Sequence, residues 1–183
     1  MSVGEIQKIR PATLRDAEAL RSLAERTFRE TFAEHNTADD MEAYIRESLS
    51  LERVRAELSD PANAFLLTFQ EGSTAPCGYA KLRTGTNEPC VSGPDPVELE
   101  RLYVSQKVLG QGVGAQLMQA CLEKARADGF ATLWLGVWEH NSRAQAFYHR
   151  WGFRRVGEHV FQLGSDPQTD LILERPVTER FTQ

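Results

Sequence analysis

The sequence predicts an α/β (α+β) fold in which helices cover both faces of a mixed, mostly antiparallel sheet. Short apolar segments of strand type alternate with longer segments whose apolar residues recur every three or four positions. A strand, a helix and another strand follow one another over residues 97–138, which indicates parallel neighbours joined by a right-handed crossover. The last two strands flank a turn over residues 164–168, which indicates an antiparallel hairpin.

The composition is that of a water-soluble domain, and we expect one domain over residues 1–183. The chain is 41% hydrophobic and 26% charged, with a formal net charge of −5. The sequence has no basic run of the kind that binds nucleic acid. It also has no long apolar segment of the kind that forms a membrane span or a signal peptide. The three cysteines are odd in number and lack metal-ligand spacing. We therefore expect a reducing, cytoplasmic location and no metal site.

The first third of the chain predicts one strand and three helices. Residues 5–10 alternate as a first strand. Thr13 has the position of an N-cap for an amphipathic helix over residues 14–33. Thr37 is placed to cap a second helix, and a short third helix is expected over residues 51–58.

The central part of the sequence predicts three strands before the glycines at positions 110–114. Residues 65–69 and 77–83 form two strands, and residues 84–96 form a loop rich in proline and glycine. Residues 97–104 mix apolar, β-branched and charged side chains, which is typical of a strand with one wet face.

The remaining elements alternate helix and strand. A helix begins at Val113 and ends at Asp128-Gly129, and residues 132–138 form a strand covered on both faces. Asn141-Ser142 opens a further helix, and strands over residues 153–163 and 169–174 complete the sheet.

Three glycines precede the helix that begins at Val113. Gly110, Gly112 and Gly114 lack the Cβ atoms that would keep a phosphate away from the unpaired N–H groups of a first helical turn. Ala115 and Gln116 follow, so the Lys-Ser/Thr pair of a P-loop is missing. The letters also fit the dinucleotide pattern G-x-G-x-x-A, but five residues separate the strand from the glycines. Taken alone, the glycines are equally consistent with a tight turn.

The stretch 98–115 resembles the acetyl-coenzyme-A (acetyl-CoA) binding motif of the GCN5-related N-acetyltransferases. That motif reads Arg/Gln-x-x-Gly-x-Gly/Ala after a strand ending in hydrophobic-Val-Ser/Pro. Gly112 and Gly114 match its glycines, whereas Leu109 stands at its Arg/Gln position. Residues 141–153 resemble a second conserved region of this superfamily. The resemblance implies its seven-stranded fold and acetyl-CoA as co-substrate.

The resemblance also implies which residues bind acetyl-CoA. A bulge in the strand that ends at Val104 would free backbone groups for the pantetheine arm and the thioester oxygen. Asn141 matches a pantetheine-binding position and can also cap its helix. The expected acetyl-CoA-binding residues are Leu102, Tyr103, Val104, Leu109, Gly110, Gln111, Gly112, Val113, Gly114, Asn141 and Tyr148.

Direct acetyl transfer to an amine requires proton transfers. The amine must lose a proton, because an alkylammonium has a pKa of about 10. Glu98 and Glu100 point to the same side of a regular strand, so either one, or a water chain, could be the base; the alternative is a solvated strand face. Tyr148 matches the tyrosine of the superfamily's Phe-Tyr motif, which implies a general acid for the leaving thiolate; the alternative is a core aromatic residue.

A narrower resemblance concerns the acceptor. Residues 27–32, 134–141 and 157–172 resemble the PaiA-type spermidine/spermine N-acetyltransferases, which implies a polyamine acceptor. Alternatives are a protein N-terminus or other small amine, or a regulator that senses acetyl-CoA or polyamines without turnover. Homodimers are common in the superfamily, so a homodimer is expected. Acidic residues that suit an ammonium acceptor are Glu30, Glu34, Asp39 and Asp40, although the last two also favour a helix dipole.

Overall fold

A single seven-stranded sheet forms the centre of the computed structural model, which describes residues 6–178. The strands are β1 (Ile6–Pro11), β2 (Asn63–Gln70), β3 (Pro76–Arg83), β4 (Pro96–Val104), β5 (Thr132–Trp138), β6 (Arg154–Leu163) and β7 (Asp166–Pro176). Their order is β1-β2-β3-β4-β5-β7-β6, and only the β4–β5 pair is parallel among these described strands. The predicted mixed, mostly antiparallel sheet is confirmed. Glu5, expected in the first strand, lies outside the described residues.

Five α-helices connect the strands. They are α1 (Ala17–Phe32), α2 (Ala38–Ser48), α3 (Leu51–Ser59), α4 (Val113–Ala127) and α5 (Ser142–Arg150). The predicted first helix begins with a 3-10 turn, Leu14–Asp16, before α1. The predicted cap at Thr37 is confirmed, because its hydroxyl oxygen accepts a hydrogen bond from the Asp40 N–H at 3.2 Å.

The helices bury apolar side chains against both faces of the sheet. Successive strand residues point to opposite faces, so Leu66 packs with α4 while Leu67 packs with α1 and α2. Leu117 and Met118 of α4 are fully buried in the first of these cores. Burying one such side chain contributes about 1.5–3 kcal/mol, so both cores hold the sheet in a fixed position relative to the helices.

The hairpin between β6 and β7 is tighter than the sequence predicts. Leu163 pairs directly with Asp166, so the turn contains only Gly164 and Ser165 instead of residues 164–168. Gly164 has φ +58°, a left-handed conformation that suits a two-residue hairpin turn. The Ser165 N–H and hydroxyl both donate to Asp40 Oδ1, at 2.7 and 2.9 Å. The hairpin tip is therefore fixed to the first turn of α2.

No helix among residues 6–178 has the length and apolar character needed to cross a membrane.

Candidate active site

The strand β4 leaves its neighbour β5 halfway along its length. Its parallel pairing with β5 covers only Pro96, Val97 and Glu98. On the β3 side, the register shifts at Glu100, which is the extra residue of a bulge between Leu99 and Arg101. The bulge and the splay expected for this strand are both confirmed. Backbone groups of the second half of β4 consequently face a gap in the sheet instead of a β5 ladder.

A cleft of about 510 Å³ occupies this gap and extends to the start of α4. It is bounded by the end of β4, the glycine-rich turn and one side of α5. Ten of the eleven expected acetyl-CoA-binding residues line it, namely Leu102, Tyr103, Val104, Leu109, Gly110, Gly112, Val113, Gly114, Asn141 and Tyr148. Gln111 does not line the cleft, and its side-chain amide donates to the Lys107 carbonyl at 3.3 Å.

The glycine-rich turn presents backbone donors to this cleft. Gly112 is the N-cap of α4 with φ +80°, and no side chain caps the helix. The first-turn N–H groups of Val113, Gly114 and Ala115 therefore receive no side-chain acceptor, and the helix dipole adds partial positive charge there. A Cβ atom at Gly110 or Gly112 would meet nothing within 4 Å, so the space before these donors is open. This geometry suits a phosphate group.

Several residues of the cleft were not found from the sequence. Arg143 and Arg150 of α5 line it and are exposed, so they add positive charge on the side opposite the glycines. Glu30 of α1, which the sequence indicated only as an ammonium partner, also lines it, and the Gln106 N–H donates to the Glu30 carboxylate at 2.9 Å. The arginines could have been found from their i, i+7 spacing on α5, which places both on one helix face.

Tyr148 and Asn141 stand where this first cleft meets a second one. The Tyr148 side chain is 8% exposed, and burial raises the pKa of its phenol above the usual value of about 10. The phenol therefore keeps its proton at neutral pH. The Asn141 Oδ1 accepts from the Ala144 N–H at 3.1 Å, which confirms its capping of α5. Both residues also line the second cleft.

The second cleft, of about 210 Å³, lies between the sheet and the helices α1 and α2. Aromatic side chains form much of its wall: Phe28, Phe32, Tyr44, Tyr103, Trp138, Tyr148 and Phe161. Three carboxylates reach it, from Glu98, Glu100 and Asp170. It joins the first cleft at residues that line both: Leu102, Tyr103, Asn141, Ala144 and Tyr148. An apolar passage with acidic groups thus opens beside Tyr148.

The two predicted base candidates on β4 have different surroundings. Burial raises the pKa of Glu98, and a 2.7 Å hydrogen bond from the Thr86 hydroxyl opposes this change only in part. Glu100 instead lies 2.8 Å from the Lys81 ammonium and 3.2 Å from the Arg101 guanidinium. Glu100 is therefore engaged in ion pairs with two cations, whereas Glu98 has only a hydroxyl partner.

A third carboxylate, which the sequence analysis did not single out, lies on β7. Burial raises the pKa of Asp170 to about 6, and the nearby His159 opposes this rise. His159 Nε2 lies 3.7 Å from Asp170 Oδ2, and its Nδ1 lies 2.8 Å from Glu88 Oε1. Asp170 lies on β7, His159 on the neighbouring strand β6 and Glu88 in the loop between β3 and β4. Only the folded chain brings these three groups together.

The acids proposed as ammonium partners from the sequence do not line the second cleft. Glu30 binds the start of the loop after β4 through Gln106. Asp40 holds the β6–β7 hairpin through Ser165. Glu34 and Asp39 are exposed and do not contribute to the wall of this cleft within the described residues. None of these four acids is therefore placed to contact an ammonium group in the second cleft, because Glu30 and Asp40 bind other segments and Glu34 and Asp39 are exposed.

Comparison with known proteins places this geometry in a family. Residues 17–153 match the model of the acetyltransferase (GNAT) family. An uncharacterized N-acetyltransferase from the pepI 3' region of Lactobacillus delbrueckii subsp. lactis is 33% identical over 168 residues, covering 92% of this chain and 96% of that protein. An uncharacterized N-acetyltransferase of Mycobacterium bovis is 32% identical over 160 residues, covering 87% and 97%.

The fold of this chain agrees with the solved structure of an N-acetyltransferase. The PaiA N-acetyltransferase from Thermoplasma acidophilum, in complex with coenzyme A, superposes with a TM-score of 0.74 at 23% identity, covering 92% of this chain and 98% of that one. The splayed β4, the glycine-rich turn and the family match over three quarters of the chain agree with one another. The chain belongs to the acetyltransferase (GNAT) family and is an acetyl-CoA-dependent N-acetyltransferase.

Proposed function

We propose that this enzyme transfers the acetyl group of acetyl-CoA to a primary amine of a polyamine such as spermidine or spermine. The observation that carries this proposal is the second cleft. Its aromatic walls suit the methylene chain of a polyamine, and its carboxylates suit the ammonium groups. The resemblance of residues 157–172 to PaiA-type enzymes and the PaiA structural neighbour support the same acceptor class.

The first cleft is the proposed binding site of acetyl-CoA. The open N-terminus of α4 offers backbone N–H groups to the pyrophosphate, and the exposed Arg143 and Arg150 offer positive charge to further phosphate oxygens. The unpaired half of β4 offers backbone groups to the pantetheine arm, near Leu102, Tyr103 and Val104. The coenzyme A bound to the PaiA neighbour supports this assignment.

The proposed reaction takes place where the two clefts meet. The amine loses one proton, its lone pair attacks the thioester carbonyl carbon to form the C–N bond and a tetrahedral intermediate, and collapse of that intermediate breaks the C–S bond. A backbone N–H near Val104 stabilises the oxyanion of the tetrahedral intermediate. Tyr148 gives its proton to the leaving thiolate and regains one that the nitrogen loses. The net reaction releases one proton from the ammonium form of the acceptor.

Of the two candidate bases on β4, Glu98 fits the cleft better than Glu100. Its raised pKa brings it closer to the range in which a carboxylate accepts a proton at neutral pH. Glu100 is held by Lys81 and Arg101, and its role is to neutralise those buried cations. If the base lies on β4, a neutral substitution at Glu98 is therefore expected to reduce turnover more than a neutral substitution at Glu100.

The test is thiol release from acetyl-CoA by the purified protein with three acceptors, namely spermidine, spermine and a peptide with a free N-terminus, and with no acceptor as the control. We expect release that depends on spermidine or spermine and saturates with either amine. Release that depends on the peptide alone would replace the polyamine by a protein N-terminus. Tight acetyl-CoA binding without release for any acceptor would favour a sensor, which the Leu109 departure from the family motif also allows.

A further inference from the structure

The second cleft, which we propose as the acceptor cleft, contains a pair of titratable groups that have no part in the acetyl transfer described under the proposed function. Asp170 and His159 are directly paired residues of β7 and β6 on the cleft wall. Neither lies on β4, where the sequence places the base candidates. Asp170 is also the β7 partner of Trp138, which ends β5 just before Asn141. The pair therefore lies at the level of the sheet where the two clefts join.

A glycine makes room for this pair. A Cβ atom at Gly136 would lie 3.2 Å from Asp170 Oδ2 and 3.6 Å from His159 Nε2. The carboxylate and the imidazole therefore lean together over the backbone of Gly136, which lines the same cleft. A Cβ atom at this position would crowd the Asp170 carboxylate and touch the His159 ring. The Asp170 side chain is 15% exposed, so the pair is largely shielded from solvent.

The hydrogen bond on the far side of His159 defines its tautomer. Glu88 accepts from Nδ1 at 2.8 Å, so the neutral ring carries its proton on Nδ1 and directs the Nε2 lone pair toward Asp170. A lone pair and an ionised carboxylate at 3.7 Å favour the uptake of one proton between them. The Glu88 side chain is 26% exposed and connects this chain of groups to solvent.

We propose that Asp170 is the proton acceptor for the amine substrate, and that His159 and Glu88 position it and conduct the proton to solvent. This inference rests on the proposed acceptor cleft. The ammonium group of the acceptor gives one proton to the Asp170 carboxylate, which becomes a carboxylic acid. That proton passes to His159 Nε2, the Nδ1 proton passes to Glu88, and Glu88 releases it to water. The ring returns to its Nδ1–H tautomer by losing the Nε2 proton to water and taking one from water at Nδ1, so the cycle closes. No electron transfer or further reactant is required.

Other charged and titratable groups face the same cleft and set the conditions for this transfer. Two of them, Glu98 and Glu100, are carboxylates, and their negative charge favours a proton on the pair. The complete set, apart from the pair itself, is Glu98, Glu100, Arg101, Tyr44, Tyr103 and Tyr148. Because the groups interact, the pH profile is expected to report values that belong to the pair and not to one residue.

The first test compares pH profiles of acetyl transfer for the wild type, Asp170→Asn and Glu98→Gln, using the best amine from the acceptor panel. We expect Asp170→Asn to lower kcat by about 10²-fold at pH 7, with a much smaller change in KM, and the loss to shrink as pH approaches the pKa of the free amine. The acidic limb should persist in Glu98→Gln. The matched control is Glu139→Gln, an exposed carboxylate at the end of β5 outside this cleft.

A second readout does not depend on turnover. The ¹⁵N resonances of the four histidines are followed against pH, and His159 is identified by the signal lost in His159→Gln. In Asp170→Asn, loss of the facing carboxylate should move the Nε2 resonance of His159 from its wild-type position at pH 7, while the resonances of the other three histidines stay in place. An unchanged Nε2 resonance of His159, or a pH profile altered by Glu98→Gln and not by Asp170→Asn, overturns the inference. Wild-type turnover with a polyamine supports the proposed function whatever Asp170→Asn shows.

Discussion

A buried cluster of four charges beside the β4 bulge makes a quantitative test possible. Arg101 donates to both carboxylate oxygens of Glu57, at 2.9 and 3.2 Å, and also lies 3.2 Å from Glu100. The Lys81 ammonium contacts the same two carboxylates, at 3.1 and 2.8 Å. Two cations therefore balance two anions. We predict the effect of Arg101→Met, which removes one cation and keeps most of the side-chain volume.

The magnitude follows from burial. The side chains of Lys81, Arg101 and Glu57 are 2%, 10% and 7% exposed. Arg101→Met leaves two carboxylates with one ammonium, hence an uncompensated buried charge. Removing one partner of a buried ion pair costs about 3–5 kcal/mol. Arg83 contacts the same Glu100 at 3.7 Å but is 47% exposed. Arg83→Met is therefore the matched control, with an expected cost of about 0–1 kcal/mol.

The assay is urea unfolding of the wild type and both variants at pH 7 and at pH 5. Burial raises the pKa of Glu57, but Arg101 and Lys81 outweigh it and the net pKa is lowered. The wild type therefore gains stability above the ordinary pKa of a glutamate and loses it as pH falls through the lowered value. In Arg101→Met the burial effect is less opposed, so acid should neutralise the excess charge and reduce the difference. Equal costs for both arginine variants, or a pH-independent difference, would refute this reasoning.

Four further predictions concern the two clefts. Tyr148→Phe should lower kcat by about 10²-fold with acetyl-CoA affinity nearly unchanged, and unchanged turnover would remove the general acid assignment. Gly112→Ala and Gly129→Ala, at the two ends of α4 with φ +80° and +86°, should each cost about 1–2 kcal/mol in urea unfolding, but only Gly112→Ala should weaken acetyl-CoA binding in calorimetry. Leu109→Arg should tighten acetyl-CoA binding by about tenfold at low salt and less at high salt, while equal affinity would place the pyrophosphate elsewhere. Because the pKa of Asp170 is raised to about 6, the folded state loses stability as pH rises from about 4 to about 6; Asp170→Asn should therefore be more stable than wild type at pH 7, by at most about 3 kcal/mol, and equal to it at pH 4.

The interpretation of β4 shows how far a strand pattern can predict a site. Its alternation of apolar and charged residues correctly predicts a strand with one polar face. Simple alternation also places Glu98 and Glu100 as equivalent candidates. The bulge at Glu100 gives these two acids different partners, a hydroxyl for one and two cations for the other. Register is set by contacts with β3, so the sequence of β4 alone does not contain this difference.

Local signals predicted most of the secondary structure of this protein. The caps at Thr37 and Asn141 and the apolar strand β5 act over a few neighbouring residues, so the sequence patterns predict them. The glycine-rich turn is also predicted from a few neighbouring residues, and the family resemblance implied that its ligand is acetyl-CoA. The hairpin at Gly164 was predicted too long because Asp166 and Pro167 have turn propensity, yet pairing with β6 extends β7 through both.

The sequence by itself thus determined the elements, their order, the family and the glycine-rich turn where we propose that acetyl-CoA binds. Only the tertiary structure decided which acids line the second cleft. Asp170, His159 and Glu88 lie on two strands and a loop, and the sheet order brings them over Gly136. Their pKa values depend on burial and on partners distant in the chain, and these are consequences of packing that no local pattern encodes.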